Sequence, residues 1–408
     1  MLVLPHLLRR FVRRGQLILR THDGAEHRFG SGADGPSVSI RLMDAKVERE
    51  LFFNPELATG EAYMDGRLVF EDGSSIYDLL LLFSVNRQGL ASHPLQQALR
   101  SAWRALRGVH QSNPLGRAAK NARDHYDHPA AFYALWLDET MSYSCAYFSH
   151  PDEDLETAQK NKLRHIAAKL ALSPGMTVAE IGSGWGALAI YLAQTCGVHV
   201  TAINVSPEQL AHSRQRAQAA GVTDKVTFVE KDYRELSGQF DRVVSVGMME
   251  HVGVHYFDDY FNKVQDLLAP GGFAMVHAIG RMSPPGSTAP FIRKYIFPGG
   301  YVPALSEVFA STERTHLWVA DCEVLRLHYY WTIRHWRQRF MARRAETVAM
   351  MGERFARMWE FYLGAVELGF LNGSNMVYQL LLSKNRDDVP VIRDFIVDNE
   401  RGMQKSGA

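Results

Sequence analysis

Residues 176–196 read MTVAEIGSGWGALAIYLAQTC. A short β-branched, apolar run turns through Gly182, Gly184 and Gly186 into an apolar helix. Glycines at such a turn let the backbone bend sharply and come close to a ligand. A strand, a glycine loop and a helix N-terminus usually announce a dinucleotide pyrophosphate, and Gly182, Gly184 and Ala187 fit G-x-G-x-x-A. Two features argue against that ligand. Glu180 puts a carboxylate two residues before the first glycine, where it would repel pyrophosphate but meet an ammonium. The next strand, VHVTAIN (198–204), ends in Asn204, where a dinucleotide enzyme carries an acid for the ribose.

Outward from this loop, strands and helices alternate. Ser206-Pro207-Glu208-Gln209 opens a helix with a Ser cap, Pro at the first position and Gln at the capping-box position. KVTFVE (225–230), DRVVSVG (241–247) and GFAMVHAI (272–279) predict further strands, and YFDDYFNKVQDLL (256–268) a helix. THLWVADCEVLRL (315–327) and MVYQLLLSK (376–384) predict the last two strands, with a long basic helix between them. That alternation predicts an α/β sheet. Asp232 closes the third strand and LLAPGG (267–272) leads into the fifth. The set fits a class I S-adenosylmethionine-dependent methyltransferase, a Rossmann-like fold on a seven-stranded sheet. Glu180 is then expected near the methionine ammonium. Asn204 and Gln209, with Val205, fall on the ribose side, and Asp232 with Tyr233 on the adenine side.

Three regions are expected: a smaller N-terminal α+β domain (1–85), a basic helical linker (86–125) and the catalytic domain (126–408). Lys plus Arg number 45 against 44 Asp plus Glu, so overall charge gives no reason to expect nucleic acid. Cys145, Cys196 and Cys322 lie too far apart for a disulfide framework or metal spacing, so no metal and a reducing, cytoplasmic setting are expected. No run reaches about 18 apolar residues, so membrane contact is expected to be peripheral. The first twenty residues carry Arg9, Arg10, Arg13, Arg14 and Arg20 and no acid. Leu4, Leu7, Leu8, Phe11 and Val12 recur among them at helical spacing. This segment, and the helix HYYWTIRHWRQRFMARR (328–344) with Trp331 and Trp336, suit an anionic membrane surface.

Four pieces remain: SYSCAYF (142–148), GMMEHVG (247–253), VHAIG (276–280) and LHYYWTIRHW (327–336). With KYIFPGGYVP (294–303) they resemble the cyclopropane fatty acid synthases, including the mycolic acid cyclopropane synthases. The resemblance covers residues 1 to 400 for the bacterial synthases and from about 126 onward for the mycolate enzymes. It implies methylene transfer from S-adenosylmethionine to the cis double bond of unsaturated phospholipid acyl chains, with a bound bicarbonate ion as base. It also implies a homodimer on the inner face of the membrane. By the resemblance, the bicarbonate cradle is Glu250, His277, Tyr329 and the backbone of Cys145 and Ile279. Tyr143 and Ser144 touch the cofactor. Cys145 then serves through its N–H and small volume, not its sulfur. Two departures stand out. Met249 replaces a Phe common in relatives, and YLGAVELGFLNG (362–373) lacks a cysteine that relatives often carry there.

The loop around 291–301 offers Phe291, Tyr295, Phe297 and Tyr301 as an acyl slot or lid, and Arg293 and Lys294 for a lipid phosphate. Two alternatives stay open: a lipid C-methyltransferase giving a methyl branch or methylene, and a non-catalytic lipid-binding protein. An O- or N-methyltransferase has no use for a cradled base.

Overall fold

The computed structural model describes residues 3–87 and 128–405. The basic linker expected over 86–125 falls outside them, apart from Asn86 and Arg87. The chain divides into two compact units, one of residues 1–107, 287–298 and 333–374, the other of 108–286, 299–332 and 375–408.

The N-terminal unit holds a four-stranded sheet: β1 (Gln16–Arg20), β2 (Glu26–Phe29), β3 (Ser37–Leu42) and β4 (Leu68–Glu71), in the order β2-β1-β3-β4. β1 alternates partly exposed and buried positions, with Leu17 and Leu19 inward, the period-2 pattern of a sheet with one covered face. Helix Ile76–Val85 begins with a full capping box between Ser75 and Asp78. This unit is larger than the expected 1–85 domain, because residues 287–298 and 333–374 join it. The reason is aromatic packing. Phe291 meets Phe361 with ring centroids 4.3 Å apart, and a Cβ on Gly60 would come within 2.3 Å of the Phe291 ring. The apolar stripe of helix Val3–Phe11 needs a correction as well. Leu4, Leu7, Leu8, Phe11 and Val12 are buried in the unit, leaving Arg9, Arg10, Arg13 and Arg14 exposed. The stripe is core, so only the charged face is left for a surface.

The catalytic unit carries all seven expected strands: β5 (Thr177–Ile181), β6 (His199–Asn204), β7 (Val226–Glu230), β8 (Phe240–Val246), β9 (Leu268–Arg281), β10 (Trp318–Val324) and β11 (Asn375–Ser383). Their order is β10-β11-β9-β8-β5-β6-β7. β5 to β9 pair in parallel, and β11 lies antiparallel between β9 and β10. The chain runs from β5 outward through β6 and β7, then returns to β8 on β5's other side. The crevice at the carboxyl end of β5 is therefore the topological switch point, where open α/β sheets bind ligands.

Candidate active site

The loop after β5 shapes the first part of the site. Gly182 (φ 84°) and Gly186 (φ 83°) take left-handed backbone angles that favour glycine. A Cβ on Gly186 would also press on Ser213 and Phe228 at 2.9 Å. Around this loop lies a cavity lined by all ten residues assigned to a cofactor from the sequence: Tyr143, Ser144, Glu180, Gly182, Gly184, Asn204, Val205, Gln209, Asp232 and Tyr233. Glu180 is buried, and its Oε2 has no hydrogen-bond partner among the described residues. Burial pushes its carboxyl up to about 7. Asn204 has a different task from the one expected. Its Nδ2 donates to Gly184 O (3.1 Å) and Gln209 Oε1 (2.8 Å), while its Oδ1 accepts from the Val205 and Ser206 amides. It fixes the glycine loop and aims Gln209. Asp232 caps a short 3-10 turn, with Oδ1 accepting from Arg234 N at 3.0 Å.

Sequence reasoning missed the buried cation of this cavity. Lys162, on helix Leu155–Leu170, is buried and lines the cavity. Among the described residues it donates to Ser144 Oγ at 3.1 Å and forms no ion pair. Burial lowers its ammonium to about 8, against the opposing pull of Asp138, Cys145 and Glu180. A buried ammonium and a buried carboxylate oxygen, neither in an ion pair among the described residues, match an amino-acid zwitterion.

The second part of the site sits on the neighbouring strands. In the register of β8 and β9, Val246 pairs with His277, and Gly247 N donates to His277 O at 2.8 Å. The 3-10 turn Met249–His251 then brings Glu250 back over β9, where Glu250 Oε1 accepts from Ile279 N at 2.6 Å. Ile279, whose backbone was expected in an anion's cradle, gives its N–H to Glu250. Glu250 Oε2 is buried with no partner among the described residues, and burial raises the carboxyl to about 7. His277 is buried and pushed down to about 3, chiefly by desolvation, so its ring is neutral. The Gln379 amide lies 3.1 Å from Nδ1 and holds the ring in place.

Cys145 lies in a tightly held loop. Ala146 N donates to Thr332 Oγ1 (3.0 Å), and Gln159 Nε2 donates to Ser144 O (3.0 Å). Thr332 stands one helical turn from Tyr329, a buried residue, on helix His328–Ala342. The Cys145 thiol is 1% exposed, donates to Ala146 O at 3.3 Å, and is pushed well above its ordinary value by burial. A neutral thiol is a poor nucleophile. The loop is further clamped by Tyr147, whose ring stacks on His165 (4.2 Å) and His328 (4.9 Å). His165 Nε2 in turn meets Glu323 at 2.8 Å.

Residues 114–380 match the family model described as mycolic acid cyclopropane synthetase. The chain belongs to this family. It is 34% identical over 358 residues to the cyclopropane-fatty-acyl-phospholipid synthase of Escherichia coli K12, covering 88% of this chain and 91% of that one. It is also 34% identical over 389 residues to a probable fatty acid methyltransferase of Pseudomonas putida, covering 93% and 95%. A crystal structure of a mycolic acid cyclopropane synthase with SAH and CTAB superposes with a TM-score of 0.62 at 28% identity, over 65% of this chain and 97% of that one.

Within this cyclopropane synthetase fold, the expected substrate residues fall in two places. Tyr301 belongs to the catalytic unit, where its N–H donates to Glu250 O (2.9 Å) and its hydroxyl to Glu307 (2.6 Å). It braces the Glu250 backbone. Phe291, Arg293, Lys294, Tyr295 and Phe297 belong to the N-terminal unit. Lys294 and the Tyr295 hydroxyl are both engaged by Glu61, at 2.5 and 2.7 Å, so Lys294 meets a protein carboxylate where a lipid phosphate was expected.

Proposed function

We propose that this chain transfers a methylene group from S-adenosylmethionine to the cis double bond of unsaturated phospholipid acyl chains, closing a cyclopropane ring with a bound bicarbonate ion as base. The observation that carries the reading is the pair of buried carboxylates at the carboxyl end of one sheet, each with an oxygen unpartnered among the described residues: Glu180 on the cofactor cavity and Glu250, held by the Ile279 amide. An O- or N-methyltransferase acts on a substrate that is already nucleophilic and has no need of the second.

S-adenosylmethionine supplies an electrophilic methyl that an alkene can attack. Glu180 and Lys162 would hold the ammonium and carboxylate of its amino-acid end, and Gln209 and Asp232 the nucleoside. Bicarbonate would be held by the residues that the resemblance assigns to it: the Glu250 carboxylate would accept its proton, and His277 and the Tyr329 hydroxyl would donate to its oxygens. A Glu250 carboxyl raised to about 7 and a neutral His277 would let the cluster receive a proton without placing a protein thiolate near a carbocation. The buried aromatic and aliphatic surroundings exclude water from that cation. The Cys145 side chain fills space beside the site.

The exposed Arg9, Arg10, Arg13 and Arg14 support docking on an anionic cytoplasmic membrane face, and a homodimer follows from the family resemblance. A second reading, methyl-branch formation, is favoured by the similarity to a fatty acid methyltransferase. Mass spectrometry with proton NMR of lipids from expressing cells decides. Olefin loss with shielded ring protons is the expected result. Olefin loss with a new methyl doublet selects the branch, and unchanged lipids overturn both.

A further inference from the structure

We propose that His165 is a positioning residue for the reaction: an imidazolium with a carboxylate at each ring nitrogen, it fixes the backbone around Cys145. Helix Leu155–Leu170 presents Gln159, Lys162 and His165 at three-residue spacing, which places them on one face. All three reach the segment 142–148, and they divide it. Gln159 donates to Ser142 O and Ser144 O, and Lys162 donates to Ser144 Oγ, so these two hold the half that lines the cofactor cavity. His165 holds the other half. Its ring lies on that of Tyr147, with centroids 4.2 Å apart and planes 17° from parallel. Tyr147 N donates to Ala158 O of the same helix at 3.1 Å. His328 completes this end, stacking on Tyr147 at 4.9 Å while its Nδ1 accepts from Phe148 N at 3.0 Å. Cys145 stands between the two halves, two residues from the stacked ring.

His165 is buried, and charge faces it from three elements. Its Nε2 meets Glu323 Oε2 on β10 at 2.8 Å, and its Nδ1 meets Glu400 Oε2 on helix Phe395–Lys405 at 3.4 Å. A carboxylate at each nitrogen calls for a proton on both, and only the imidazolium donates from both. Burial works against that charge, but the bonds to Glu323 and Glu400 outweigh it and raise the pKa of the ring, against the opposing pull of Lys169. The remaining charges pair among themselves: Lys169 with Glu323 (2.5 Å), Arg164 with Glu400 (4.0 Å) and Arg393 with Asp321 (2.8 Å). His328, with Nδ1 taken by a backbone N–H and its pKa pushed down to about 4 by burial, stays neutral. A cation over a tyrosine face is attracted by the ring quadrupole. Loss of the His165 proton therefore weakens both carboxylate bonds and the stack, and frees the backbone two residues from Cys145. Because the pKa is raised, the clamp is complete below the ordinary histidine range and is lost as pH rises through the folded-state value. That the Cys145 backbone serves the chemistry rests on the proposed function; that His165 orders it rests on these contacts.

The test uses the full-length protein and two measurements. Hydrogen exchange read by mass spectrometry follows the peptide spanning 142–148 with no substrate present. Turnover on dioleoyl phosphatidylglycerol vesicles at saturating S-adenosylmethionine gives kcat against pH. His165→Phe keeps a stacking ring and loses the charge. Its 142–148 peptide should exchange about tenfold faster or more. Its kcat should fall about tenfold, the scale of one lost charge-assisted hydrogen bond, and its profile should lose the alkaline limb. SAH affinity should hardly change, because Gln159 and Lys162 still hold the cofactor half. Glu400→Gln keeps the histidine, removes a partly exposed carboxylate and serves if His165→Phe does not fold; its alkaline limb should move to lower pH. Unchanged exchange in the folded variants overturns the proposal. So does faster exchange with an unaltered pH profile, which makes His165 a brace for the fold alone, and so does a loss of SAH affinity equal to the loss of kcat. A wild-type protein that leaves the vesicle lipids unchanged refutes the proposed function instead, and exchange then decides whether His165 orders the loop.

Discussion

The two units each contain a cavity, and the cavities are chemical opposites. The one at the carboxyl end of β5 is lined by buried Lys162 and Glu180, which have no ionic partner among the described residues. The one in the N-terminal unit has almost no polar atoms to leave unpaired. Desolvated charge is costly, so the first cavity is unfavourable until a ligand of complementary charge arrives. The second loses only dispersion contacts when empty. Selectivity for an ionic ligand is thus stored as electrostatic stress, while tolerance for hydrocarbon needs only space and dryness.

The contrast is easiest to break at Glu250. Glu250→Gln cannot accept a proton at Oε2, and its turnover should fall ~10²-fold or more. Binding of SAH, measured by calorimetry, should be nearly unchanged, because Glu250 lies in the second cluster. An active Glu250→Gln enzyme would remove the base from the scheme.

Lys162→Met comes next. Losing a charge-assisted hydrogen bond of about 1.5–3 kcal/mol should weaken SAH binding ~10- to 100-fold. Binding of 5′-methylthioadenosine, which lacks the amino-acid end, should hardly change. Equal losses for the two ligands would make Lys162 a brace for Ser144 and no partner of the ligand.

A smaller effect should appear with pH. Glu180 must be ionised and Lys162 protonated to receive a zwitterion, so SAH affinity should rise as pH passes about 7 and fall beyond about 8. The limbs belong to the interacting pair. The ligand-free protein should show the opposite trend on the acid side. The carboxyls of Glu180 and Glu250 are raised from 4.5 to about 7. The folded state therefore holds their protons more tightly than the unfolded chain, and stability declines as pH rises through that window, then levels. Melting curves with and without SAH separate the trends.

Cys145→Ser should have the mildest consequence, because the thiol is neutral and buried. Serine keeps the amide and the small volume, and kcat should change by no more than about tenfold, the cost of a buried hydroxyl with imperfect partners. An inactive variant that still binds SAH would return the sulfur to the chemistry.

Much of the catalytic unit is legible in the sequence because its strands are dense β-branched runs between glycines and caps. Glu250 and His277 were singled out through the family resemblance of GMMEHVG and VHAIG; the structure puts the first in a 3-10 turn after β8 and the second within β9. Lys162 was not. The segment LETAQKNKLRHIAAKL reads as an ordinary charged helix, yet Lys162 and Lys169 are buried while Lys160 is exposed. Lysines rarely sit inside a protein, and spacing alone cannot say which one does. The true extent of the N-terminal unit was hidden for another reason. Its membership depends on contacts such as Phe291 with Phe361, between residues seventy positions apart, which no local pattern encodes. β1 (QLILR), β3 (SVSIRL) and β4 (LVFE) are runs that local propensity favours as strands, while the short, polar β2 (EHRF) carries no strand signature.

The position of β11 bears on how the chain comes into being. Residues 375–383 are made after every other strand, yet they lie between β9 and β10 and pair with both. Until the ribosome releases them, β9 has a bare edge of unpaired amides and carbonyls and β10 has no neighbour in the sheet. Synthesis at about 5–20 residues per second leaves that edge open for several seconds. Bare strands recruit other strands, so a nascent chain of this protein has a built-in window in which it depends on chaperones, and a stall before codon 375 should yield an aggregating fragment.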